Sequence, residues 1–180
     1  MDVTDVRLAA PTANGFCDND RLTFSQDTKW TQVCGITEDT HFYLDVDPAA
    51  SSTLDFTFVT DSTNFDRRWR IKVSQICCDQ ISMAPSGCGQ YFTSTTGTIK
   101  GWNSQPAEPA NTYLAGQNYA ICMRKEINRC STTYLDRGTN IFFPVCGDTL
   151  EWPFSFLPGT PVPTCGGGFI MSVSQQLIWS

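Results

Sequence analysis

The stretch CDNDRLTF at residues 17–24 is followed, after a loop, by Cys34-Gly35. A second stretch, CGDTLEW at residues 146–152, leads in the same way to Cys165-Gly166. In both, a cysteine and an acidic residue precede Leu and an aromatic residue in alternation, and a Cys-Gly pair opens the next strand. This repeated cysteine frame indicates two copies of one disulfide-stapled β module. It favours a binding module outside the cell over an enzyme.

Apolar residues elsewhere alternate with polar ones, and helical periodicity is scarce. The alternating segments are 54–58, 69–73, 119–123 and 169–173. Period-two runs of this kind are typical of half-buried antiparallel strands. Because turn signals rich in Pro and Gly separate many short strands, the sequence predicts an all-β sandwich or barrel.

The charge of the chain limits its partners. Its 180 residues carry a formal net charge of −6, and 17% of them are charged. We expect no nucleic-acid partner, because no basic stripe exists to neutralise phosphates. The densest basic run, Arg67, Arg68, Arg70 and Lys72, is interpreted as the solvated face of a strand. No segment reaches the roughly 20 apolar residues of a membrane span, so none is expected.

Nine cysteines indicate an oxidising compartment. The Cys-x-x-Cys spacing of zinc sites is absent, and His41 is the only histidine, so disulfides explain the count better than metal binding. We therefore expect a secreted protein. Since the number is odd, one cysteine is left over.

Each expected disulfide joins neighbouring strands across a loop. Three of these pairs are Cys17 with Cys34, Cys122 with Cys130, and Cys146 with Cys165. Cys88 would pair with Cys77 or Cys78 across the turn at residues 84–87. Adjacent cysteines on a strand point to opposite faces, so only one of the two reaches Cys88. The strand map leaves that choice open.

Catalytic signals are weak. His41 has no accompanying Gly-x-Ser-x-Gly elbow, and a lone histidine is expected to be structural. We expect no enzyme and no catalytic residue. Trp102 and Trp152 lie beside loops, where an aromatic side chain can anchor a protein or sugar, but packing in the core is the favoured interpretation.

Two series of segments follow one another in a characteristic order. The first comprises residues 42–46, 54–56 and 65–76, and the second comprises Cys78 and residues 84–92, 97–103 and 113–126. Their order resembles the CUB domain, in particular the CUB-containing secreted proteins of arthropods. The resemblance implies antiparallel jelly-roll β-sandwiches, with the C-terminal part of one CUB-like domain at residues 1–76. Residues 77–180 would form the N-terminal and central part of a second.

The resemblance also chooses between the adjacent cysteines. The family pattern has its cysteine at the position of Cys78, which implies the pair Cys78–Cys88. Cys77 would then be the spare, either free or linked to another chain.

Many CUB domains bind calcium through a glutamate and two aspartates on loops at one end. Asp20 and Asp61 match the aspartates, but residues 9–12, ahead of Cys17, read AAPT and supply no glutamate. We therefore expect no cofactor, with a calcium ion at Asp20 and Asp61 as the alternative. Without calcium, both aspartates would cap loops through backbone hydrogen bonds.

The expected function is non-catalytic recognition of an extracellular protein or glycan, or assembly in an extracellular material, on a CUB scaffold. One alternative is a substrate-recruiting segment of a secreted protease, and another is a structural protein that self-assembles by strand exchange. The resemblance implies further strands before Val6 and after Ser180. The chain is thus expected to be a fragment, or to complete one sandwich from its two halves, or to borrow strands from a neighbour as a homo-oligomer.

Overall fold

A computed structural model describes residues 1–47, 49, 53–103, 114–125 and 127, together with the backbone of residues 131–136 and 170–176. These residues form ten strands and no helix, which confirms the all-β class. The strands are β1 (Asp2–Arg7), β2 (Arg21–Phe24), β3 (Ile36–His41), β4 (Phe56–Val59), β5 (Arg68–Lys72), β6 (Cys88–Phe92), β7 (Thr96–Lys100), β8 (Ala120–Met123), β9 (Ser131–Asp136) and β10 (Ile170–Gln176).

Two antiparallel sheets in the first half face each other and form what we call the first sandwich. One has the strand order β3-β1-β5 and the other pairs β2 with β4. Val3 and Val6 of the first sheet and Leu22 and Phe24 of the second are buried in one apolar cluster. The alternation in β2 directs Leu22 and Phe24 inward, while Arg21 and Thr23 are only half-buried. The repeated cysteine stretch therefore begins a core strand.

Two further sheets belong to the second half of the chain. Strand β10 lies between β7 and β9, antiparallel to both, whereas β6 and β8 pair in parallel. Ile99 is buried among Phe92, Ile121 and Met123 in a second, smaller cluster. The sheets are thus mostly antiparallel, as expected, with one parallel pair that short-range alternation gives no means of predicting.

Four strands overlap the segments that the alternation predicts: β4, β5, β8 and β10. Residues 42–46 differ, because they form no regular strand. Their backbone bonds to several separate partners instead: Phe42 N donates to Met1 O, and Tyr43 N donates to Gly89 O. Asp45 N donates to the carboxylate of Asp27.

The structure contains the expected disulfide between Cys17 and Cys34. It corrects two other expected pairs, because Cys88 is bonded to Cys122 rather than to Cys78, and Cys122 is therefore not bonded to Cys130. The parallel pairing of β6 with β8 brings the Cα atoms of Cys88 and Cys122 to 5.8 Å.

The remaining cysteines are either free or outside the described residues. Cys77 and Cys78 are both exposed and without a disulfide partner in the part of the chain that the structure describes. Cys78 is therefore a spare cysteine in the described residues, in addition to Cys77. Cys130, Cys146 and Cys165 lie outside the described residues, as does the second copy of the cysteine stretch.

An aromatic cluster joins the two halves of the chain. The indole of Trp30 contacts Phe42, Trp102 and Tyr119, at ring-centroid distances of 5.1, 6.4 and 4.1 Å. Trp102 also stacks on Phe42 at 4.3 Å, and it shares the apolar cluster of Val3 and Val6. Contacts in the core thus cross the division expected between residues 76 and 77, and the division itself stays a prediction.

We expect Trp30→Ala to lower the free energy of unfolding by about 3–5 kcal/mol, because it empties a large, fully buried site. Ile81→Ala is the matched control. Ile81 is 80% exposed, so its truncation should change stability by no more than about 0.5 kcal/mol. Urea unfolding measures both, and equal losses in the two variants would contradict the central place of Trp30 in the core.

The pairing of Cys88 predicts which cysteine variant exposes its thiol. In Cys122→Ala, the buried Cys88 should carry a free thiol that reacts with iodoacetamide once the protein is unfolded in denaturant without reductant, and stability should fall by about 2–5 kcal/mol. In Cys78→Ala, Cys88 should stay protected. Labelling of Cys88 in Cys78→Ala but not in Cys122→Ala, read by peptide mass spectrometry, would restore the pairing that the sequence suggested.

Candidate functional site

The loops at one end of the first sandwich meet around two carboxylates. Asp20 immediately precedes β2, and Asp61 lies just beyond β4; the antiparallel pairing of Arg21 with Val59 places them at the same end. Arg67 immediately precedes β5 and reaches both. We call Asp20, Asp61, Thr63, Phe65 and Arg67 the loop cluster.

Asp20 is buried and fully engaged. Its Oδ2 accepts hydrogen bonds from Ala9 N and from Arg67 Nε, both at 2.8 Å, and its Oδ1 accepts one from Asp61 N at 3.2 Å. The carboxylate therefore ties together the chain segments after β1, before β2, after β4 and before β5.

Arg67 lies between the two aspartates. Its Nη2 donates to Asp61 Oδ1, and its Nη1 donates to the carbonyl oxygen of Thr63 at 2.9 Å. Two guanidinium groups lie over the ring of Phe65. The guanidinium carbon of Arg67 is 5.9 Å from the ring centroid, and that of Arg7 is 5.4 Å from it. The cluster thus combines a forked charge-assisted contact with aromatic shielding.

Burial acts to raise the pKa of Asp20, but hydrogen bonds from Arg67, Ala9 N and Asp61 N outweigh it, so that the pKa of this carboxyl lies below its ordinary value. The hydrogen bond to Asp20 in turn raises the pKa of Arg67. Both partners therefore keep their charges at neutral pH.

The expected calcium ligands Asp20 and Asp61 do lie together, but these residues do not fit a calcium ion. Calcium takes six to eight oxygen ligands, with carboxylates prominent among them. In the described part of the chain, no group of three or more Asp, Glu, His or Cys side chains could hold a metal. One carboxylate oxygen of each aspartate already accepts a hydrogen bond from Arg67.

A second feature is the side of the first sandwich where β4 and β5 are the outermost strands. Within the described residues, β4 pairs only with β2, and β5 pairs only with β1. Trp69 lies opposite Val6 across the β1–β5 pairing, so its side chain is on the core face. We call β4 and β5 together the open edge.

Two aromatic rings fill the gap between the sheets at the open edge. Phe58 of β4 and Trp69 of β5 stack at 4.3 Å with an interplanar angle of 15°. Trp69 is nevertheless 48% exposed. An inward-facing tryptophan with this much exposed area marks a surface that another polypeptide can cover.

The charges beside the open edge are basic. Arg70 and Lys72 are exposed on β5, whereas Arg68 forms ion pairs with Asp5 and Asp66. An outermost strand presents N–H and C=O groups to which an extended peptide can bond. The arrangement can therefore bind an extended segment that carries acidic side chains.

Comparison with known protein families gives a match to part of the chain. Residues 85–156 match the family model of the animal CUB domain. CUB domains generally mediate extracellular protein binding and are typically non-catalytic, and some members bind calcium. No curated protein and no solved structure matches the chain.

The CUB match begins before β6 and lies within the segment expected to be the second CUB-like domain. It covers less than half of the chain, and the first CUB-like domain expected at residues 1–76 stays a prediction. Among the described residues, no helix is long and apolar enough to cross a membrane.

The other residues singled out by the sequence are His41, Trp102 and Trp152. His41 Nε2 is 3.0 Å from the carbonyl oxygen of Tyr91, and burial lowers the pKa of this histidine. Trp102 is buried in the core, as the favoured interpretation held. Trp152 lies outside the described residues.

Two functional features were missed by sequence reasoning. Arg67 belongs to the basic run that was interpreted as the solvated face of a strand. This interpretation is correct for Arg70 and Lys72, which are exposed on β5. It is wrong for Arg67, because β5 begins one residue later. The stacking of Phe58 on Trp69 joins two strands that are not hydrogen-bonded neighbours. Alternation predicted both strands but carried no signal for their contact.

Acid should weaken the loop cluster through Asp20. Its pKa is lowered in the folded protein from the ordinary 3.8, so the stabilisation is complete above that value and is lost as the pH falls through the lowered folded pKa. Asp20→Asn should have a lower free energy of unfolding than the parent at neutral pH. On acidification, its free energy of unfolding should fall less than that of the parent.

The control for the acid experiment is Asp18→Asn, because Asp18 is exposed in the same loop. This variant should follow the parent at every pH. Urea unfolding at neutral pH and near pH 3 gives the comparison; a parallel decline of the parent and Asp20→Asn would exclude Asp20 as the source.

Proposed function

We propose that this chain is an extracellular, non-catalytic binding module that takes an extended segment of a partner protein at its open edge. The observation that carries the proposal is the half-exposed Trp69, stacked on Phe58 between two strands with unoccupied outer sides in the described part of the chain.

Physical chemistry favours a peptide ligand at this edge. Main-chain hydrogen bonds to β4 or β5 would supply affinity without dependence on the partner's sequence. Trp69 would supply a central anchor, since tryptophan is enriched among residues that dominate binding energy. A glycan would leave the N–H and C=O groups of the edge unused, so a polypeptide is the better match.

The charges of β5 indicate which side chains the partner segment should carry. The chain as a whole is acidic, yet Arg70 and Lys72 make this edge locally basic. Successive side chains of an added strand point to opposite faces. The partner segment should therefore alternate apolar residues, which cover Phe58 and Trp69, with acidic residues, which lie near Arg70 and Lys72.

An extracellular location is supported by the two disulfides, Cys17–Cys34 and Cys88–Cys122, because such bonds persist in oxidising compartments. The resemblance of residues 85–156 to animal CUB domains, which are mainly extracellular, points the same way. A role in recruiting substrates for a secreted protease would use the same edge.

Photo-crosslinking from the open edge tests the proposal. The chain with benzoylphenylalanine in place of Trp69 is mixed with extracellular fluid of its native source, irradiated, and analysed by mass spectrometry. We expect one identified secreted protein to be captured, and an excess of unlabelled parent chain to suppress its capture. An excess of Trp69→Ser should compete poorly.

The matched control carries benzoylphenylalanine at Thr57, which is exposed on β4 beside Phe58. Its side chain faces away from the core, so it should not capture the same protein. Equal capture from both positions would refute binding at the open edge. Capture of a second copy of this chain alone would replace the proposed partner by self-assembly through strand exchange.

A further inference from the structure

We propose that Arg67 is the internal cation of the loop cluster, and that it holds the loops of the first sandwich together in place of a divalent metal ion. This proposal does not depend on what binds at the open edge. It follows from the disagreement between the expected calcium ligands and the structure.

Arg67 makes the contacts that a central cation would make. Its three guanidinium nitrogens all donate: Nε to Asp20, Nη2 to Asp61 and Thr63 Oγ1, and Nη1 to the carbonyl oxygens of Thr63 and Phe65. One side chain thus gathers two carboxylates, a hydroxyl and two carbonyls, which are the oxygen types that a hard cation would coordinate.

Three of the four carboxylate oxygens of Asp20 and Asp61 already accept hydrogen bonds. Asp20 accepts three hydrogen bonds, and Asp61 Oδ1 accepts bonds from Thr63 N and Thr63 Oγ1 in addition to Arg67. Without the guanidinium, the two carboxylates would share a poorly solvated site with like charges. A calcium ion could enter only by displacing Arg67, whose planar fork has exchanged its water for well-aligned acceptors.

Shielding strengthens the arrangement. Asp20 is 1% exposed, and the ring of Phe65 lies beside the guanidinium of Arg67. Because water is excluded on the side of Asp20, removal of the guanidinium would leave the Asp20 carboxylate buried and without its cation, which is strongly destabilising. The structure therefore predicts a loop end that depends on Arg67 and is indifferent to calcium.

The test compares thermal unfolding of the parent chain in millimolar calcium chloride with unfolding in excess EDTA. We expect the two Tm values to agree, and isothermal titration with calcium chloride to give no binding heat. Arg67→Met should lower the Tm by at least about 5 °C, because it strands Asp20 without its cation. Arg70→Met is the matched control, since Arg70 is exposed on β5, and it should leave the Tm nearly unchanged.

A rise of several degrees in the Tm of the parent chain with calcium would overturn the proposal, as would an Arg67→Met variant with the stability of the parent. If Arg67→Met does not fold, the double variant Asp20→Asn/Arg67→Met decides. Because it removes both charges together, it should be more stable than Arg67→Met alone. A double variant that is no better than the single one would show that the two charges are not coupled.

Discussion

Trp30 stands at the centre of the interactions on which the rest of the structure depends. Its ring packs against aromatic residues from both halves of the chain and is 1% exposed. The backbone of β6 approaches it closely at Gly89, where a Cβ would lie 2.6 Å from the indole. Only glycine permits that approach. The first sandwich and β6 are thereby packed against one another, although the sequence predicts portions of two successive modules.

The loop cluster and the open edge both follow from this core. The strand order that surrounds Val3 and Val6 leaves β4 and β5 outermost, and the same order brings the loops before β2, after β4 and before β5 to one end. Arg67 and Trp69 are separated by one residue, so the residue that closes the loop cluster also fixes where the open edge begins. Binding at the edge and cohesion of the loops are thus built on neighbouring positions at the start of one strand.

Sequence reasoning predicted what depends on local alternation. The inward face of β2 with Leu22 and Phe24, the strand that carries Trp69, and the Cys17–Cys34 disulfide all follow from short-range patterns. Contacts that depend on how distant strands meet were not predictable in this way. The Cys88–Cys122 bond needs the parallel pairing of β6 with β8, and the position of Arg67 needs three loops to converge. The expected calcium ligands were correctly placed together, but charge counting alone could not show that an arginine from the same chain lies between them.

Hydrogen exchange of the intact chain tests the shared core most directly. Under increasing denaturant, the slowest amides of β1 and β3 and those of β6 and β8 should open with the same free energy. Strand β1, which pairs with β3, supplies Val3 and Val6 to the cluster that contains Trp30, and β6 packs on Trp30 at Gly89 and holds β8 by strand pairing and the Cys88–Cys122 disulfide. A conservative Trp30→Leu change should lower protection in both groups equally. Loss of protection in β1 and β3 with β6 and β8 unaffected would show that the halves fold independently, and would contradict a single core centred on Trp30.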